Sequence, residues 1–391
     1  MPYDAVSPDQ TDKRFWFTLL ILAFGAFVIG TSEFLIMGIL PDVATSLGVT
    51  VGAAGQLVTA FALGIALGAP TLAAATSRFD RKHVLLGGLG VFVLGNLAVA
   101  MLQSYEALLV ERFLSGAMAG LFYGVGIATG AQLAPEDMKA RAIATVFGGI
   151  TLATVLGSPA GIWIGQFMGW QAPFFLIAGL TVGAMAAMQF IMPSTPSEES
   201  GGLRVLRQIF KMRAVMLVLL GTILVNTGWF AAYTYIAPFL TGVTGASLAL
   251  VPAILVGYGI LSWIGNMLGG KLADTSLRKT LFGSITVMAA SMIALWIFGG
   301  SFVATMGLLA IWALSGWSFV TAVQTRIVEA AGPNGSMASA LNISAFNVGI
   351  AAGAASGGMA VDTLGLTHIM AFGATIALAA LVPIAMSYRA G

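Results

Sequence analysis

The sequence contains no cysteine, so it can form no disulfide and offers no thiolate as nucleophile or metal ligand. Histidine is almost as scarce. His83 and His368 lie far apart with no ligand-like company, so no metal site and no cofactor are expected. Charge is the third scarcity: 8% of the 391 residues are Asp, Glu, Lys or Arg, against about 25% in a soluble domain. A net charge of +2 gives nucleic acid no basic surface. No nucleophile–base pair or metal constellation is apparent, which argues against an enzyme.

What is present instead is apolar sequence. Hydrophobic residues make up 58% of the chain, and the mean hydropathy is +0.96. So few charges cannot cover a water-facing surface, and the chain reads as an all-α integral membrane protein whose first partner is the lipid bilayer. The opening stretch MPYDAVSPDQTDKR is polar and acidic. It lacks the basic start and short apolar core of a cleaved signal, so the first apolar segment is expected to remain as a span.

A helix needs about 20 apolar residues to cross a bilayer. On that window, spans are expected near residues 15–39, 52–76, 83–103, 106–129, 141–164 and 169–192, then near 214–240, 248–269, 280–299, 302–328, 337–360 and 365–387. Between the sets lies PSTPSEESGGLRVLRQIFKMR, the only long polar stretch inside the chain. The expected domains are therefore a six-helix half over 1–192, a cytoplasmic linker over 193–213 and a second six-helix half over 214–391.

The basic residues support twelve spans. Lys13 and Arg14, then Arg78, Arg81 and Lys82, then Lys139 and Arg141, then Arg204, Arg207, Lys211 and Arg213 all fall in alternate connections. So do Lys271, Arg278 and Lys279, then Arg326 and Arg389; Arg112 alone falls inside a span. The positive-inside rule then predicts that both termini are cytoplasmic, in a bacterial plasma (inner) membrane.

The two halves echo one another. Pro41 in GILPDV and Pro238 in YIAPFL are 197 residues apart, and Gly149 and Gly157 match Gly349 and Gly357 at a shift of 200. Ser77 aligns with Asp274, again at 197. Parallel repeats of this kind are a transporter architecture with substrate near the midplane. Glycines at four-residue spacing (116, 120 and 124; 157, 161 and 165) predict close helix contacts.

These features together resemble the major facilitator superfamily over nearly the whole chain. GGKLADTSLRK, with Gly270, Asp274, Arg278 and Lys279, looks like the superfamily's loop signature. RFLSGAMAG from Arg112 to Gly120 looks like the fourth-helix motif of drug–proton antiporters. GSPAG over 157–161 looks like the fifth-helix antiporter motif, with Ser158 interposed before Pro159. GTSEF with LPD, and NISAFNVGIAAGA, look more narrowly like the bacterial arabinose-efflux, sugar-efflux and chloramphenicol-resistance branch. The resemblance implies a monomer with gating roles for Asp274, Arg278, Gly157 and Pro159. The first-half loop departs from the signature, with Ala73 and Ser77 where Gly and Asp are usual, so the cytoplasmic lock is expected to rest on other groups such as Asp80 or Asp274.

Glu33 lies in an apolar run. A charge at the bilayer centre costs roughly 2.5–3.5 kcal/mol and is functional by default. Helical rise places Glu33 about 12 Å below the end at Pro41 and Arg112 about 9 Å below the same end, so they are expected to pair directly or through water. Glu111 is the rival partner of Arg112. A carboxylate held between apolar surroundings, which favour its neutral form, and a cation, which favours its charged form, can take and release a proton as they change. Glu33 and Arg112 are therefore the expected proton-coupling pair.

For substrate, Asn226, Trp229, Phe230 and Tyr233 share one helix face. Phe34, Phe122, Tyr123, Asn342, Phe346 and Asn347 complete the candidate cavity. Aromatics and amides suit a small, partly apolar ligand held by a few hydrogen bonds. The expected function is export of a drug or antibiotic in exchange for protons; the alternative is a proton-driven sugar or nucleoside exporter. Asp42, Arg326, Glu329 and His368 are read as end-of-helix groups.

Overall fold

The computed structural model describes residues 8–135, 138–196 and 207–390, and among them every regular element is helical. The first residues of the acidic N-terminal stretch and the linker's Arg204 lie outside the described residues.

The chain begins with α1 (Pro8–Gly38), and a short α2 (Leu40–Leu47) follows. The break sits at Ile39, with φ −113° and ψ 12°. Pro41 causes it, since it has no N–H for the carbonyl four residues back. The same device recurs 196 residues later. Between α9 (Arg213–Tyr233) and α10 (Ile236–Gly242), Tyr235 has φ −105° and ψ 23°, just before Pro238. The duplication read from the prolines is thus a duplication of backbone geometry.

Between these come α3 (Val51–Ala75), α4 (Arg81–Met101), α5 (Tyr105–Leu133), α6 (Lys139–Leu152), α7 (Ser158–Met168) and α8 (Ala172–Ile191). The second set continues with α11 (Val251–Phe298), α12 (Phe302–Ala331), α13 (Gly335–Leu364), α14 (Ile369–Ala379) and α15 (Leu381–Ser387). Eleven helical stretches are long and apolar enough to cross a bilayer. One of them runs 51 residues from Leu248 to Phe298, about twice the length a crossing needs. It breaks at Ser276, whose φ of −162° is extended, so it supplies two crossings and the total is twelve. The expected loop GGKLADTSLRK is therefore mostly helix, turned only at Ser276. The chain turns there by a local kink rather than by an open loop.

Caps fix the helix starts. Thr50, Ser104 and Ser301 each accept a hydrogen bond from the backbone N–H three residues on. Asp80 caps α4 through the N–H groups of Lys82 and His83, and it accepts the Ser194 hydroxyl as well. Burial raises its pKa, but those hydrogen bonds outweigh burial and hold the carboxyl below the usual range. It thus acts as a cap that ties the start of α4 to the segment after α8.

Packing is set by small residues. A Cβ on Gly116 would overlap the Phe61 carbonyl oxygen, and one on Gly64 would overlap that of Phe113, so α3 and α5 touch backbone to backbone. Gly124, in the same four-residue stripe, meets nothing within 4 Å. Gly149, Gly157 and Gly161 bring α6 and α7 onto α1, and Gly349, Gly353 and Gly357 bring α13 onto α9. Between α6 and α7 the chain makes a π-helical turn, Ala153–Gly157, in which the Ser158 N–H reaches back five residues to the Ala153 carbonyl.

Candidate functional site

The polar centre of the first six helices is assembled from α1, α4 and α5. Asn96 donates its amide to the Phe92 carbonyl at 2.8 Å, which fixes its Oδ1 as an acceptor. The Ser32 hydroxyl donates to that oxygen at 3.0 Å. Arg112 then donates twice to Ser32, Nη1 to Oγ and Nη2 to the carbonyl oxygen, both at 3.2 Å. Its guanidinium carbon lies 4.1 Å from the centroid of the Phe61 ring. Arg112 is 1% exposed, so its charge is held wholly inside the protein.

Glu33, the next residue on α1, is also buried and accepts the Tyr123 hydroxyl at 3.2 Å. Arg112 and Tyr123 are eleven residues apart, three turns and about 16 Å along one face of α5, and their long side chains converge on Ser32 and Glu33 of α1. The two sequence-predicted partners are thereby brought to adjacent residues. Direct or water-bridged pairing was expected; the direct contacts seen are Arg112 on Ser32 and Glu33 on Tyr123. Ser32 and Asn96 escaped the sequence reading because a serine and an asparagine carry no charge to flag them.

The second polar centre lies among α9, α12 and α13. The Thr222 hydroxyl donates to Asn342 Oδ1 at 2.8 Å, and Asn342 Nδ2 donates to Gln324 Oε1 at 2.9 Å. Asn342 thus uses both its oxygen and its amide nitrogen inside the bundle. Asn226 is buried against α13 with its amide on the Thr222 carbonyl, and Asn347 donates to the Ile343 carbonyl. The Oδ1 atoms of Asn226 and Asn347 are buried acceptors without a hydrogen-bond partner.

Beside them is an aromatic cluster. Tyr233 stacks on Tyr258 with centroids 4.9 Å apart and meets Trp312 edge-on at 6.1 Å. Trp229 meets Trp317 edge-on at 6.0 Å and donates its indole N–H to the Tyr258 hydroxyl at 3.2 Å. Phe230 touches Tyr233 and Phe346. Trp229, Phe230, Tyr233 and Phe346 thus come together as the spacing predicted, while Asn226 turns to the helix interface. Tyr258, Trp312 and Trp317 were not among the predicted residues, since nothing in their own helices marks the face that meets α9. Phe122 is fully buried with its ring tip on Gly25 and fills the space between α1 and α5. Phe34 is half-buried on α1.

The gating candidates separate. Gly157 closes the π turn and packs on Thr31 of α1, and Pro159 is buried in the next helix. Arg278 lies over the Tyr388 ring at 5.7 Å, beside Arg326, which lies over the same ring at 4.2 Å and donates to the Ser387 carbonyl. Asp274 is exposed.

At the end of the bundle that carries Pro41, the two sets of helices are joined. The Thr50 hydroxyl donates to Asp362 at 2.9 Å, the Tyr235 hydroxyl sits between the carbonyls of Ala354 and Gly52, and Gln166 donates to the Leu248 carbonyl at 2.7 Å. Because the chain has no cysteine of its own, this contact is directly testable. Thr50→Cys with Asp362→Cys is expected to cross-link under mild oxidation and to stop flux in vesicles, with recovery on reduction. Full flux in the cross-linked protein would show that this end need not open.

A family model described as the Major Facilitator Superfamily matches residues 22–251. The chain belongs to that superfamily. It is 36% identical to the inner membrane transport protein YdhP of Escherichia coli (strain K12), over 95% of this chain and 96% of that protein. It is 32% identical to a chloramphenicol resistance protein of Streptomyces lividans, over 93% and 94% of the two chains. Among solved structures, a D-xylose–proton symporter superposes with a TM-score of 0.79 at 14% identity, covering 94% of this chain and 97% of that one. The major facilitator fold is thus the fold of this chain, and it is a multi-pass membrane transporter.

Proposed function

We propose that this chain exports a small, partly apolar drug or antibiotic in exchange for protons, by alternating access between the half over 1–192 and the half over 214–391. The observation that carries it is the placement of Glu33 beside the Ser32–Arg112 anchor, inside the first half and away from bulk water. A carboxyl there can change its proton only when the helices around it move, which is what couples a proton to a conformational cycle. Each proton moved inward contributes about 2.3 kcal/mol per 100 mV. The basic connections support a cytoplasmic location for both termini, in a plasma membrane, as a monomer. The joined end at Thr50 and Asp362 is then the outer gate.

The aromatic cluster is where we place substrate. Stacked rings give broad apolar contact, and the free Oδ1 of Asn347 can accept a hydrogen bond from a ligand's hydroxyl or amide. A sugar needs many polar partners, and Asn342 is already committed to Thr222 and Gln324. The likeness to the chloramphenicol resistance protein supports the drug reading.

Inside-out vesicles with an acid interior test this. A transported drug is expected to dissipate the pH gradient in the wild type and not in Glu33→Gln. An equal response in both would remove Glu33 from coupling, and a response to sugars alone would replace the substrate assignment.

A further inference from the structure

Glu111 precedes Arg112 but takes no part in the network on Ser32. It lies about 100° round α5 from Arg112, against Gly95 of α4. A cleft of about 290 Å³ opens there between the two helices, near the lower limit of small-molecule sites. Its walls include Leu94, Val110 and Leu114, which are 67%, 62% and 50% exposed. In a membrane-spanning pair of helices, that exposure faces hydrocarbon. At the floor are Gly95, Glu111 and Ser115.

The floor is built for the carboxylate. Glu111 is 7% exposed. Its Oε1 accepts the Ser115 hydroxyl. Gly95 makes room for both, because a Cβ there would overlap Ser115 Oγ and Glu111 Oε1. Oε2 is buried and has no hydrogen-bond partner. An acceptor-only group with one oxygen left over, at the base of apolar walls, is complementary to a cation carried on an apolar body.

We propose that this cleft is a binding site, entered from the bilayer, for the ammonium group of a membrane-dissolved amphiphile. Depth selects the source. Glu111 lies six residues from the start of α5, about 9 Å below the helix end, which is beneath the level of phospholipid headgroups. A lipophilic amine can sink to that level; a headgroup ammonium is tethered at the interface. Arg112 is an electrostatic neighbour of Glu111, and the ligand's cation, on the cleft side, offsets what remains of the cost of a charge in hydrocarbon, roughly 2.5–3.5 kcal/mol for an uncompensated one. The site is separate from the proton reading of Glu33 and stands or falls without it.

The test uses wild-type protein in dodecyl maltoside micelles, which contain no ammonium. Dicyclohexylcarbodiimide, which reaches carboxyls from the apolar phase, is allowed to react, and the rate of modification at Glu111 is followed by peptide mass spectrometry. Dodecyltrimethylammonium is expected to slow it about tenfold at about ten times its dissociation constant. Dodecanol, with the same tail and no charge, and tetramethylammonium, with the charge and no tail, should leave the rate unchanged. No modification of Glu111, no protection by the cation, or equal protection by dodecanol would each overturn the proposal. Protection by phosphatidylethanolamine but not by dodecyltrimethylammonium would assign the site to a headgroup and overturn the dissolved amine.

Discussion

Arg112→Met is expected to abolish transport. The side chain is buried, makes two hydrogen bonds to Ser32 and lies over Phe61. Methionine keeps the apolar stem and removes the charge, leaving Glu33 buried without its neighbouring cation. Breaking a buried charge arrangement by removing one partner costs about 3–5 kcal/mol, which is about two to four orders of magnitude in rate or population. Arg112→Lys keeps the charge but cannot place two N–H groups on Ser32, so a loss of about tenfold is expected. Drug-dependent proton flux in vesicles measures both. A thermal unfolding curve in detergent, run on the same samples, separates a lost function from a lost fold. Near-normal flux in Arg112→Met would mean that the positive charge serves packing alone.

Gly116→Leu is expected to prevent the first half from assembling. Even a Cβ at this position would overlap the Phe61 carbonyl oxygen of α3. A side chain can rotate away from an intruder; a backbone carbonyl in a helix cannot, so α3 and α5 must separate along the contact. The expected cost is at least about 3 kcal/mol, the upper end for overpacking. Gly124→Ala lies two turns further along the same stripe, where nothing comes within 4 Å, and should stay within about 0.5 kcal/mol of wild type. Unfolding temperatures of the two variants in detergent decide the matter. Since both substitutions raise helix propensity, an equal fall in the two would mean that the backbone contact at Gly116 is not what sets the stability of these helices.

That pair also shows where sequence stops being informative. Gly116, Gly120 and Gly124 look alike in a four-residue stripe, yet only the assembled helices reveal which of them faces a backbone. The spans were legible because the bilayer imposes one length on every crossing. The repeat was legible because proline acts locally: Pro41 and Pro238 break their helices whatever lies nearby. The level shared by Glu33 and Arg112 followed from helical rise alone. Their actual anchors did not, because Ser32, Asn96 and Tyr123 are placed by the rotation of α1, α4 and α5 about their own axes, which composition leaves free. Likewise, the aromatic face of α9 was visible from its period, but Tyr258, Trp312 and Trp317 became its partners only through helix neighbours. The loop expected over 270–279 was misjudged because its basic residues marked the membrane boundary, and helices may run past that boundary into water.

The π turn at Ala153–Gly157 bears on the phase of a whole helix. Four residues of α-helix overshoot one full rotation by about 40°, so Gly149, Ala153, Gly157 and Gly161 would wind progressively off α1. The wider i→i+5 ring of the π turn takes that overshoot back, and Gly149, Gly157 and Gly161 all remain against α1. In the other half α13 stays α-helical throughout, with Gly349, Gly353 and Gly357 against α9. The duplicated halves are therefore not interchangeable. One stripe carries a reset of helical phase at its π turn, and the matching stripe in the other half has none.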